Sequence, residues 1–62
     1  MAHYDCSIDL INFYCEQPEK ISSNALYCAC EDARRYYEAG KASKDWYEYV
    51  KQTLTPYIQQ DI

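Results

Sequence analysis

Sixty-two residues with ten acids, six bases and a net charge of −4 make one small acidic domain, residues 1–62. Such a chain has no cluster of Lys and Arg to follow a phosphate backbone, so direct nucleic-acid binding is not expected. Its longest unbroken apolar run, Ala25–Cys30, is far too short to span a membrane.

A domain of this size buries roughly 60% of the surface that its unfolded chain exposes. Small scaffolds therefore usually add a disulfide, a metal or a partner subunit. The charge is uneven: Asp5, Asp9, Glu16 and Glu19 face Lys20 alone in residues 1–20, whereas residues 41–62 are balanced. Met1 to Asp5 lack a basic leader, which points to the cytosol, where thiols stay reduced.

The first predicted helix covers about residues 5–16. Ile8, Ile11, Phe13 and Tyr14 would also suit a strand, but Asp5, Asp9, Asn12 and Glu16 recur at helical spacing and form one narrow polar stripe. Around the rest of the wheel lie two apolar rows. One is Ile8, Ile11 and Cys15; the other is Cys6, Leu10 and Phe13, with Tyr14 between them. A helix packed on the outside of a bundle needs an apolar stripe of only ~100° or somewhat more. This helix has more apolar surface than its own fold can cover.

Pro18 separates the first helix from a second over about residues 23–39. Ser22 or Ser23 caps its first free N–H groups. Ala25, Leu26, Ala29, Cys30, Ala33, Tyr36 and Tyr37 fall on one stripe, with Glu31, Arg34, Arg35 and Glu38 opposite. Glu31 and Arg35 stand four apart in the favourable order. The alanines allow a neighbouring helix to approach closely. Gly40, the only glycine, follows as a C-cap.

The third helix spans about residues 44–60, with Ser43 as its cap and Asp45 in its first turn. Trp46, Tyr49, Val50, Thr53, Leu54, Tyr57 and Ile58 form its apolar arc, with Tyr47 at the margin. Pro56 removes one hydrogen bond and predicts a bend; the alternative is a new short helix capped by Thr55. The expected fold is all-α, a small three-helix domain with the third helix bent near Pro56.

The cysteine spacing, Cys6-x8-Cys15-x12-Cys28-x-Cys30, contains no C-x2-C knuckle. Cys28 and Cys30 lie about 200° apart on a helix and cannot clasp one ion together. His3 and Cys6 make one pair of ligands without a second, so neither metal nor cofactor is expected. Cys15 and Cys30 read as small buried hydrophobes; one bridge from Cys15 to Cys28 or Cys30 is the alternative. Nucleophilic catalysis needs a thiolate beside a base, and His3 is the sole histidine. With no glycine-rich phosphate loop either, no enzymatic activity is expected.

Eight tyrosines with one Trp and one Phe are the unusual feature. Eight phenols cannot all find buried partners, and Tyr and Trp are enriched at protein interfaces. The expected function is a non-catalytic regulator or inhibitor that occupies a partner protein's surface. Its contact residues are Leu10, Phe13, Tyr14, Tyr47, Tyr49 and Ile58, with Asp5, Asp9 and Glu16 steering a basic partner. Compact acidic inhibitors of nucleic-acid enzymes, carried by phages and mobile elements, share this composition by analogy. The alternatives are a self-associating homo-oligomer, such as a homodimer, and a zinc-supported mini-domain. Thermal unfolding is expected to be unchanged by EDTA; a fall in Tm that zinc restores would show that the cysteines hold a structural metal.

Overall fold

The computed structural model describes residues 6–58, and among them every regular element is helical. Three α-helices occur in chain order: α1 (Ile8–Glu16), α2 (Ser23–Glu38) and α3 (Lys44–Ile58). A single 3-10 turn, Pro18–Lys20, joins α1 to α2.

Helix α1 starts later than its periodicity predicts. Ser7, extended at ψ 164°, is the N-cap, and its Oγ accepts the Leu10 N–H at 3.1 Å. Cys6 lies ahead of the cap because α2 takes both of its backbone groups. Its N–H donates to Asp32 Oδ2 at 2.8 Å, and its carbonyl accepts the Tyr36 hydroxyl at 2.9 Å. Asp5, the expected first helical residue, lies outside the described residues. The far end stops at Gln17, whose φ of −139° leaves the helical region. A residue that precedes proline is pushed towards extended backbone, and Pro18 follows.

Helix α2 is capped by Ser22, whose Oγ accepts the Ala25 N–H at 3.3 Å. It ends in a Schellman motif: Lys41 N–H reaches Tyr36 O at 2.8 Å and Gly40 N–H reaches Tyr37 O at 3.1 Å. That closure requires the φ of +78° found at Gly40. Helix α3 opens on Ser43, whose Oγ accepts the Trp46 N–H at 3.1 Å. It continues as one element through Pro56, so no separate helix begins at Thr55. Pro56 has no N–H for the Gln52 carbonyl. The Thr55 hydroxyl donates back to the Lys51 carbonyl one turn earlier.

The core draws on all three helices: Ile11 and Cys15 from α1, Leu26, Ala29 and Ala33 from α2, Val50 and Leu54 from α3, with Cys6 closing one end. The largest interface is α2 against α3. Ala29 and Ala33, both at 0% exposure, carry the alanine stripe that lets those helices approach. Polar groups inside are matched. Trp46 Nε1 donates to Asn12 Oδ1 at 2.8 Å, and no buried side-chain polar atom among the described residues lacks a partner.

A Cβ at residue 40 would meet nothing within 4 Å, so the cost of Gly40→Ala is that of the backbone alone. That cost is about 1–2 kcal/mol for a left-handed residue with a side chain. Leu54→Ala, at a fully buried site, is expected to cost more, about 2–5 kcal/mol. Urea unfolding of the two variants checks the ranking.

Candidate protein-binding surface

With Ile11 and Cys15 turned into the core, the opposite side of α1 faces outward. Leu10 and Phe13 are 37% and 46% exposed, and Asp9 and Glu16 are exposed beside them. Asp9, Phe13 and Glu16 are spaced at i, i+4 and i+7, hence on one line along the helix, with Leu10 at its side. The apolar row of Cys6, Leu10 and Phe13 thus has two members on the outside. Cys6 is lost to it because the residue precedes the helix and is 3% exposed.

The expected polar stripe is also broken. Asn12 is half-buried, drawn inward by the indole N–H of Trp46. Tyr14 is half-buried against the core, its ring tilted 52° to Phe13 with 6.3 Å between centroids. Burial pushes its phenol up, and the neighbouring Cys6 and Cys28 add to the rise.

On α3 the two tyrosines expected at the contact separate. Tyr47, placed at the margin by its wheel position, packs on the core and stacks on Tyr37 at 5.3 Å and 1° between rings. The Lys51 ammonium lies 5.6 Å from the centre of the same Tyr47 ring. Tyr49, expected within the apolar arc, is 49% exposed. The arc has rotated towards α2, where Tyr37 supplies a stacking surface. Ile58 is half-buried against the core. Of the nine expected contact residues, then, Asp9, Leu10, Phe13 and Glu16 come together on α1, and Asp5 lies outside the described residues. Tyr49 is exposed on a different helix, and Tyr14, Tyr47 and Ile58 are partly used by the fold.

Two features of α2 escaped the periodicity. Tyr27, 55% exposed, shares the outer stripe with Glu31 and Arg34. A hydrogen bond to Glu31, and then the charge of that carboxylate, raises its phenol pKa. Its position opposite the alanine stripe is the signal that could have revealed it. Glu31 pairs with Arg34 at 3.4 Å, not with Arg35 at i+4 as expected. Arg35 instead lines a cleft with Cys6, Asp32, Tyr36 and Lys41 at the other side of the helix.

All four cysteines are free thiols. Cys28 packs against the core. Burial, reinforced by the charges of Cys15 and Glu31, pushes the Cys30 thiol up to about 11; burial also raises Cys15. Both are thus protonated near neutral pH, where a nucleophilic thiol would have to be ionised. Among the described residues no three His, Cys, Asp or Glu side chains converge on a metal position, and no helix is long and apolar enough to cross a membrane.

Comparison with protein-family models, with curated proteins and with solved structures gives no match to this chain.

The placement of the aromatics separates surface from core by stability. Phe13→Ala is expected to change unfolding free energy by no more than ~0.5 kcal/mol, as at other exposed sites. Tyr47→Ala removes a half-buried stacked ring and is expected to cost about 2 kcal/mol. Denaturant midpoints of the two variants, at equal slope, measure the difference.

Proposed function

We propose that this protein is a non-catalytic regulator that binds another protein through the outer face of α1 and acts by occupying that partner's surface. The observation that carries the reading is the pair Leu10 and Phe13. Both stand exposed one turn apart, although the core beneath them is complete and its buried polar side chains are matched. Asp9 and Glu16 give this face a negative border, which favours a basic partner surface and penalises others. A twin subunit is the weaker fit. In a two-fold contact across this face the same carboxylates of both copies would approach one another, and each copy has a net charge of −4. Enzymes that act on nucleic acids carry basic substrate-binding surfaces and are the partner class that these conditions favour.

A photo-crosslinking benzoylphenylalanine placed at Phe13, compared with one at exposed Gln52 on α3, tests this in the native host. The expected result is a discrete hetero-conjugate from residue 13 alone, lost when Leu10→Ala is added. Equal conjugates from both positions would refute the α1 assignment. A conjugate of the chain with itself would replace the regulator by the homo-oligomer.

A further inference from the structure

The arrangement of charge on α1 specifies the partner's site more narrowly than a basic surface, if the reading above holds. Asp9 and Glu16 are seven residues apart, two helical turns, so their α-carbons lie about 10.5 Å apart along the axis on nearly the same line. Phe13 falls between them, about 6 Å from the first and about 4.5 Å from the second along that axis. Leu10 stands 100° round the helix from Asp9, which widens the apolar part to one side only. Neither carboxylate forms an ion pair among the described residues, whereas Glu31 is paired with Arg34 and Asp32 accepts the Cys6 N–H. Asp9 and Glu16 therefore reach a partner without first releasing an internal cation.

A convex helix with two anchors on adjacent turns fits a concavity, in the helix-in-groove mode, better than a flat surface. We infer that the partner is a protein whose apolar groove accepts Leu10 and Phe13 and carries, along the Phe13 side, two cationic side chains about 10–11 Å apart that meet Asp9 and Glu16. Guanidinium groups suit these positions best, because each presents a planar fork to a carboxylate. A groove with one central cation would place it against the Phe13 ring, away from both carboxylates. A groove with an acidic rim would be repelled.

The test uses the full chain, labelled with nitrogen-15, and two synthetic helix-hairpin peptides, each with a leucine-lined groove between its helices and with identical leucine, alanine and arginine content. In one peptide two arginines lie seven residues apart beside the leucine row; in the other they lie four apart. Amide shifts over residues 9–16 are expected with the seven-residue spacing, with at least ten-fold tighter binding than the four-residue spacing gives. The Asp9→Asn/Glu16→Gln double variant should lose that ten-fold preference, while Glu38→Gln, at an exposed acid on α2, should keep it. Equal binding of both peptides on α1, or a preference that survives the double variant, overturns the two-cation rim and leaves α1 as the docking face. Shifts confined to other helices, or none, overturn the rim as well. Failure of the docking face itself is read separately, from crosslinking at residue 13.

Discussion

The carboxylate of Asp32 organises the way α1 meets the rest of the molecule. It is only 5% exposed, and a charge so buried is tolerated only with hydrogen-bonding partners. The Cys6 N–H supplies one at 2.8 Å, and Tyr36, one turn further along α2, holds the carbonyl of the same residue. The chain is thereby clamped just before Ser7, and helix can begin only after it. From that start, the need to bury Ile11 and Cys15 sets the rotation of α1 and leaves Leu10 and Phe13 on the outside. Hydrogen bonds at Cys6 and packing at Ile11 act on the same element from two positions. Together they remove its freedom to roll.

Size explains why the outer face stays apolar. A core built from one row of each helix is already filled by eight residues, four of them small: Cys6, Cys15, Ala29 and Ala33. Among the described residues no fourth helix covers a second row on this nine-residue element. Leu10 is a little over a third exposed and Phe13 a little under half, so covering what remains would contribute about 1 kcal/mol each. That is modest, so in the proposed contact much of the discrimination among partners would fall on the flanking carboxylates, which act over longer range and weaken with added salt.

Much of this arrangement was legible in the sequence, and the failures have definite causes. Ser22, Ser43 and Gly40 act locally, through caps and a left-handed residue, and their roles needed no tertiary knowledge. The alanine stripe and the outward Leu10 and Phe13 followed from helical period. Cys6 and Asn12 were misplaced because each is governed by a residue far along the chain: Asp32 and Tyr36 for Cys6, Trp46 for Asn12. Their separations of 26, 30 and 34 residues are invisible to periodicity. Tyr47 and Tyr49 are chemically identical and lie on opposite edges of the α3 arc, so composition cannot rank them. Only the position of Tyr37 on α2 decides which is covered.

A nine-residue helix is too short to be stable alone in water, since the cost of nucleation is spread over few hydrogen bonds. Its stability here is borrowed. The Ser7 cap, the Cys6 clamp and the Asn12–Trp46 bond hold it at its start and middle, while Ile11 and Cys15 hold its inner side. An isolated peptide of this sequence would have to order its backbone on binding, at roughly 1–2 kcal/mol per residue. The folded chain has met that cost already. Preorganisation would therefore compensate, in the proposed contact, for its few anchors. In this reading the long α2–α3 pair serves as a rigid mount, and α1 as the short element that it presents.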